Sequence, residues 1–212
     1  VDDGSTDNSI EKIVSFKKKN SRKIKIKILK HKKNYGLGVA LKTGFKFCFK
    51  FANADDVIVT MDTDNSHTIN LSFKMVKKII FGNEDVVIAS RYRENSKTKG
   101  LNNLRKILSF GAALLFKIFF PIKNVRDYTS GFRAFKVKKI RNIYKKSKNF
   151  FSETGFSASA DILLKLYPFK KELNFKELPI NLRYDLKQGS SKMKIIRTIY
   201  LNLRLIFIRK FN

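Results

Sequence analysis

The sequence predicts an α/β fold built around a largely parallel, covered sheet, and three observations carry that prediction. Short runs of strand formers alternate with helical runs of 11 residues or more along the first 90 positions. One such run, Val57-Ile58-Val59-Thr60-Met61, is continuous strand former and ends directly in Asp62-Thr63-Asp64. A chain of 212 residues with 43% hydrophobic residues is large enough to bury one sizeable core and is too apolar to be disordered. Strands separated by helices of that length read as β-α-β units.

Taken in order, Val1 has the character of a strand end. A helix follows from about Asn8 to Lys19, with Ile10, Ile13 and Val14 on one face and Thr6 or Asp7 as its cap. Ile24, Ile26 and Ile28 alternate with Lys, which is the period of a half-buried strand. Asn34-Tyr35-Gly36-Leu37-Gly38 is a turn into a helical run from Val39 to Phe51. Val57 to Met61 is a strand, Leu71 to Phe81 a helix and Val86 to Ala89 a strand. From Ser90 to Asn103 the chain reads as a polar connection. Beyond it stand two helices, Leu104 to Phe120 and Met193 to Arg209. The first has few charges and is a core or an interfacial helix. In the second, Lys194, Arg197 and Arg204 share a face, so it is a basic amphipathic helix that either packs on the domain or lies on a membrane surface. The expected organisation is a domain over 1–192 followed by that helix over 193–212.

Composition narrows the functional classes. A net charge of +29, spread along the chain, attracts anionic partners in general: nucleic acid, an anionic membrane leaflet or phosphorylated substrates. Heavy use of Lys, Asn, Ile and Phe is equally the mark of an A/T-rich genome. No recognised nucleic-acid motif is present, and the 20 Phe follow apolar patterning rather than exposed stacking positions. No apolar run reaches the roughly 18 residues of a membrane-spanning helix. Cys48 stands alone, which permits no internal disulfide and suits a reducing compartment.

The chemistry concentrates at Asp62 and Asp64. Two carboxylates one residue apart at a strand end form a hard oxygen site suited to Mg²⁺ or Mn²⁺, and such a cation can hold a nucleotide diphosphate. A strand end running into a turn explains the same residues by backbone preference alone. The opening Val1-Asp2-Asp3-Gly4-Ser5-Thr6-Asp7 places acidic groups, a turn and a helix cap where the edge of a sheet can face a polar ligand.

With these landmarks the chain resembles the family 2 glycosyltransferases, and within them the dolichol-phosphate mannosyltransferase and polyprenyl-phosphate hexose transferase branch. The resemblance runs through Val1 to Asp7, Asn34 to Gly44 (NYGLGVALKTG), Met61 to His67 (MDTDNSH), Ala89 to Tyr92 (ASRY), Thr129 to Phe135 (TSGFRAF) and Gly189 to Lys192 (GSSK), in the family's order. It implies a GT-A fold, a Mg²⁺ or Mn²⁺ cofactor, a GDP- or UDP-sugar donor, a polyprenyl phosphate acceptor and inverting hexosyl transfer at the cytoplasmic face of the membrane. Nucleic acid is not an expected partner.

Residue by residue, the resemblance implies nucleotide contacts from Asp3 and Asp2, with Asp62 beside them, and metal ligation by Asp62 and Asp64. It implies acceptor-phosphate contacts from Arg91, Arg105 and Ser109, with Lys192 as a further candidate and Arg91 also placed among the catalytic groups. His67 is expected to shape the metal site. Asp127, with Ser130-Gly131-Phe132, is expected to wall the site. Glu153 and Asp161 are acidic residues beside it, for which cap or surface roles are the simpler reading.

Departures from the family pattern are also visible. The branch often has Gln where Ser66 stands, which puts a third metal contact in question. Leu186 stands where many relatives carry Arg, with Lys187 or Arg183 as substitutes. The family's first strand, with its Pro-x-Tyr-Asn-Glu-like segment, does not precede Val1, so an N-terminally truncated domain is expected. A rival transferase acting on a sugar hydroxyl needs a general base, for which Asp127 is the place to look.

Overall fold

The computed structural model describes residues 1–186 and 195–211, apart from the side chains of Leu104, Arg105, Ile195 and Ile196. Seven helices and six strands follow one another among these residues. They are α1 (Ser9–Lys19), α2 (Leu37–Phe51), β1 (Val57–Thr60), α3 (Ile69–Ile80), β2 (Val86–Ser90), β3 (Lys97–Lys99), α4 (Asn103–Phe119), β4 (Arg133–Lys136), α5 (Val137–Lys146), α6 (Ala158–Leu166), β5 (Phe175–Pro179), β6 (Asn181–Arg183) and α7 (Ile195–Phe211).

The main sheet has the order β1-β4-β2-β5. β2 and β5 pair in parallel, whereas β4 runs antiparallel to both β1 and β2. The sheet is therefore mixed, and the expected largely parallel arrangement holds only in that β1, β2 and β5 point the same way. β4 fits between them because Val57, Ile58 and Val59 find Lys136, Phe135 and Ala134 as register partners. A second, two-stranded sheet joins β3 to β6 in parallel.

The pleat sorts the core into two layers. Ile58, Val86, Ile88 and Phe135 face a cluster with Phe45, Phe116, Ile140 and Leu163, which come from α2, α4, α5 and α6. Val87, Ala89 and Ala134 face the opposite way, toward Leu71, Met75 and Ile79 of α3. Every residue of β2 is buried because helices cover both faces, which is why its sequence is apolar without alternation. Phe45, Phe116, Phe120, Phe132, Phe135, Phe150 and Phe175 are all core residues, so much of the Phe content is packing.

The Ile24–Ile28 alternation does not form a strand. Its neighbourhood contains a single isolated parallel bridge, Asp2 to Lys30, made by Asp2 N–H to Leu29 O (2.8 Å) and His31 N–H to Asp2 O (2.9 Å). Alternation shows which face a strand would bury, but a ladder also needs neighbouring backbone, and here only one residue pair supplies it. Gly36 adopts φ +97° at the entry to α2, a conformation that favours glycine. At Gly38 a Cβ would lie 1.8 Å from Glu153 O, so the turn sits flush against the 153–154 backbone.

The C-terminal helix is packed. Leu205 and Ile206 are buried, and α7 lies against α4. Arg209 binds Asp161 and Ser152, and Arg204 reaches Glu153 at 3.4 Å. Of the expected basic face, Arg204 turns back to the body, as the neighbouring Arg209 does, Arg197 is exposed, and Lys194 lies outside the described residues. Tyr200, Leu203, Phe207 and Phe211, at helical spacing, face outward. Ile107, Phe110, Leu114 and Ile118 form a similar exposed stripe on α4. No helix among the described residues is long and apolar enough to cross a membrane.

Candidate functional site

The carboxyl ends of β1, β2 and β5 and the start of β4 meet at one edge of the main sheet, where open α/β sheets bind ligands. A cleft of about 230 Å³ opens there. Asp62, Asp64 and His67 line one part of it. Arg91 and Ser109 line another, with Thr129 to Gly131 along the floor and Thr198, Ile199 and Asn202 of α7 on the wall. The floor is fixed by hydrogen bonds: Thr60 Oγ1 donates to Gly131 O (2.7 Å) and Ser130 Oγ to Ala89 O (2.7 Å).

Asp62 is exposed and Asp64 half-buried. Asn65, at φ +60°, turns the chain back so that Ser66 donates both its N–H (3.1 Å) and its Oγ–H (2.5 Å) to Asp64 Oδ1. Ser66 itself is buried, and its carbonyl accepts from Arg183 N–H (2.9 Å), which ties this turn to β6. The serine therefore orients Asp64. His67 packs against Phe132 at 5.0 Å, and its Nδ1 is buried without a hydrogen-bond partner. Burial pushes the imidazole below its ordinary pKa of 6.5 despite the nearby charges of Asp62 and Asp64, so the ring is neutral at neutral pH.

This donor set suits a hard divalent ion. Among the described residues no group of three or more His, Cys, Asp or Glu forms a complete cage. Mg²⁺ and its analogues are commonly held by one or two carboxylates, with substrate phosphates supplying further oxygens. Two aspartates at a cleft edge beside an unpartnered, neutral imidazole nitrogen fit that mode.

The basic side is built differently. Arg91 donates Nε–H to Asp127 Oδ2 (2.8 Å) and Nη2–H to both Asp127 Oδ1 (2.7 Å) and Thr129 Oγ1 (2.6 Å). Its Nη1 donates to Ser109 Oγ (2.9 Å), which also accepts from the Tyr92 hydroxyl (3.0 Å). These bonds use most of the five guanidinium donors, so Arg91 presents little more than one N–H to a ligand. Asp127 is fully buried and also accepts the backbone N–H groups of Arg91, Thr129 and Ser130. Burial alone pushes its carboxyl up, but the charge and hydrogen bonds of Arg91 outweigh that and hold the pKa below 3.8. Burial likewise disfavours the Arg91 cation, and Asp127 reverses this, driving its pKa well above the ordinary value.

Beneath this pair lie further buried charges. Arg133, 1% exposed, donates to Ser159 O and to Tyr128 O (2.8 Å), and burial brings its pKa down to about 10. Glu177 accepts the backbone N–H groups of Arg126 and Asp127 at 2.7 Å each. Arg93 Nε lies 3.1 Å from Glu177 Oε2, close enough for an ion pair but not aligned for a hydrogen bond. Burial pushes Glu177 above its ordinary value of 4.5.

The sequence-derived candidates thus separate. Asp62, Asp64, Arg91 and Ser109 come together in the cleft. The Arg105 side chain and Lys192, together with Lys187, lie outside the described residues. Asp2 and Asp3 do not line this cleft. Asp3 Oδ1 accepts from Tyr35 N–H (3.0 Å) and contacts His31 Nδ1 (2.7 Å), while Oδ2 accepts from Gly36 N–H (2.7 Å). Burial raises the Asp3 carboxyl, but these bonds bring its pKa below 3.8. Asp3 thereby pins the turn that delivers Leu37 to the cleft. Asp2 Oδ1 accepts from Ser5 N–H (3.1 Å), whereas its Oδ2 is buried without a partner and keeps capacity for a ligand.

Other candidates serve the scaffold. Arg183 is occupied by Asp185 (2.7 Å) at the surface, and Leu186 is exposed. Glu153 and Asp161 anchor α7, as their arginine partners show. Asp127, paired and held ionised, is no proton acceptor for a hydroxyl. Thr129 and Tyr92 stand in the motifs quoted from the sequence but carried no assigned role there, and Asn202 was missed altogether. For Asn202 the signal was available, since it is a polar residue one helical turn from Thr198 on an otherwise apolar face. Beyond the Arg91–Ser109 wall a second hollow of about 380 Å³ is lined by Tyr92, Leu101, Lys106, Ile107 and Phe110.

Residues 1–144 match the family model described as Glycosyl transferase family 2. The chain is 30% identical over 208 residues to a dolichol-phosphate mannosyltransferase of Pyrococcus furiosus, covering 98% of this chain and 53% of that protein. It is 26% identical over 179 residues to a UDP-N-acetylglucosamine–dolichyl-phosphate N-acetylglucosaminyltransferase of Methanococcus voltae, covering 83% of this chain and 68% of the other. The chain thus spans about half the length of the Pyrococcus relative. In fold it is similar to glucosyl-3-phosphoglycerate synthase of Mycobacterium tuberculosis, solved with Mn²⁺ and UDP-glucose. That likeness has a TM-score of 0.61 at 17% identity, over 99% of this chain and 66% of that one.

Proposed function

This chain belongs to glycosyl transferase family 2, and on that premise we propose that it moves a hexose from a GDP- or UDP-sugar to a polyprenyl phosphate, with inversion, at the cytoplasmic face of a membrane. One observation carries the reading: Asp62 and Asp64 share a single cleft with Arg91 and Ser109, an arrangement that supports a metal-diphosphate edge and an acceptor side in one site. The names of the Pyrococcus and Methanococcus relatives support a polyprenyl phosphate acceptor and differ in the sugar moved.

In this reading Asp62 and Asp64 hold Mg²⁺ or Mn²⁺ together with the donor diphosphate, and Ser66 keeps Asp64 aimed at it. Bound there, such an ion would offset the charge that develops on the departing diphosphate. An oxygen of the lipid phosphate forms a bond to the anomeric carbon as the bond from that carbon to the diphosphate oxygen breaks. That oxygen is already ionised, so no general base is required. A sugar-hydroxyl acceptor would require one, and the buried Arg91–Asp127 pair removes the carboxylate best placed to act.

Arg91 acts mainly as a positioning residue. Asp127 cancels most of its charge, and it fixes Ser109, which then points its own hydroxyl toward a ligand. Arg105, one helical turn before Ser109, remains the expected phosphate grip, and Lys192 remains a further candidate. The second hollow offers apolar walls at Ile107 and Phe110, plus Lys106, for the first part of a prenyl chain. The exposed apolar stripes of α4 and α7 support binding to a membrane surface.

The test is transfer from labelled GDP-mannose or UDP-glucose to undecaprenyl or dolichyl phosphate in vesicles with Mn²⁺. The expected product is a solvent-extractable lipid phosphosugar. Transfer only to hydroxyl acceptors would refute the acceptor assignment.

A further inference from the structure

The wall contributed by α7 contains a polar group that the acidic pair and the Arg91 network leave unexplained, and it lies outside the family match over residues 1–144. Asn202 lines the cleft shared with Asp62 and Asp64 and is only 7% exposed. Among the described residues its side-chain amide has no hydrogen-bond partner. Neither amide atom is among the fully buried side-chain atoms that lack a partner, so its unused hydrogen-bonding capacity opens on the cleft.

The helix is held in this orientation. Leu205 and Ile206 on the same side are buried at 0% and 6% exposure. Arg209 Nε is bonded to Asp161 Oδ1 at 2.8 Å, and Arg204 reaches Glu153. Turning α7 would expose the two apolar residues and strand Asp161, itself 1% exposed.

The chemistry of the amide narrows its ligand. It offers a carbonyl acceptor and two N–H donors on one rigid plane. A phosphate oxygen only accepts, and would leave the carbonyl unpaired. Neighbouring hydroxyls both donate and accept, and so can satisfy both ends. Phe156, 50% exposed, lines the same cleft, and an aromatic ring there suits the C–H face of a sugar.

We infer that Asn202 binds hydroxyls of the hexose being transferred, with Phe156 against the ring, so that α7 supplies the sugar-recognition subsite. This deepens the nucleotide-sugar reading of the cleft and rests on it.

Calorimetric titration of the full chain in Mn²⁺ with UDP, UDP-glucose, GDP and GDP-mannose tests it. Wild type is expected to bind one sugar nucleotide more tightly than the matching bare nucleotide. Asn202→Ala is expected to erase about tenfold of that margin and leave bare-nucleotide affinity unchanged. An unchanged margin, equal losses for both ligands, or no margin in wild type would overturn the subsite. Absence of any Mn²⁺-dependent nucleotide binding by wild type would instead overturn the parent reading of the cleft. Asn202→Leu, which fills the same space with an apolar side chain, should share the loss of margin and melt near the wild-type temperature. A lower melting temperature would mark the amide as a packing element and also count against the inference.

Discussion

Asp64 and Asp127 stand at the same sheet edge, yet the fold treats them in opposite ways. Asp64 is half-buried at the cleft mouth, oriented by one neighbouring serine. Asp127 is fully buried, gripped by Arg91 through two guanidinium nitrogens and by three backbone N–H groups. A carboxylate placed to meet a ligand keeps its exposure, whereas one that builds the wall is saturated from within. The same contrast holds for the cations: Arg91 is consumed by the scaffold, so the work of holding an anionic ligand passes to groups with donors to spare.

Substitutions can break or sharpen that contrast. The largest effect on stability is expected from Asp127→Ala, which strands the Arg91 guanidinium, only 16% exposed, and should cost about 3–5 kcal/mol in urea unfolding. The sign of the pH dependence follows from the direction of the shift. Asp127 is more acidic in the folded chain than its ordinary 3.8, so its contribution is complete above that value and is lost as the pH falls toward the folded pKa. Asp127→Asn should therefore flatten the acid limb of the stability profile, and an unchanged limb would show that other carboxylates dominate it.

At the cleft mouth the effect should move from stability to activity. Asp62→Ala is expected to lower sugar transfer by about 10²–10³-fold while leaving the unfolding midpoint near wild type. A large loss of stability there would erase the distinction between the cleft-mouth carboxylates and Asp127.

The anchor of α7 ranks next. Arg209→Ala removes the charged partner of Asp161 and should cost about 1.5–3 kcal/mol in urea unfolding. The smallest stability effect, within about 0.5 kcal/mol, is expected from Phe110→Asp combined with Phe207→Asp, since both side chains are exposed. That double variant should still bind anionic vesicles several-fold more weakly in flotation assays. Unchanged vesicle binding would leave the apolar stripes without a membrane role.

The first half of the chain was legible because its periods are clean. β1, β2, α1, α2 and α3 fall within two residues of the boundaries their apolar patterns imply. Legibility failed at β5, where the inward positions are Phe175 and Glu177; a buried charge hides the alternation. It failed at β4 for a similar reason, since Arg133 is buried in a strand. The helix α5 carries a readable period in Val137, Ile140 and Ile143, but seven surrounding Lys and Arg positions from 133 to 146 mask it. In the site, the Asp-x-Asp pair was visible because a strand run points straight at it. The pairing of Arg91 with Asp127 was not, since 36 residues separate them and only the antiparallel insertion of β4 brings them together.

The most direct test of the central claim is electron paramagnetic resonance of Mn²⁺ titrated into the full chain with UDP or GDP, in wild type and in Asp64→Ala. If the acidic edge holds the ion with the diphosphate, wild type will show nucleotide-dependent loss of the free Mn²⁺ signal, and Asp64→Ala will show at most a small fraction of it. Equal Mn²⁺ uptake by the two proteins would contradict the account.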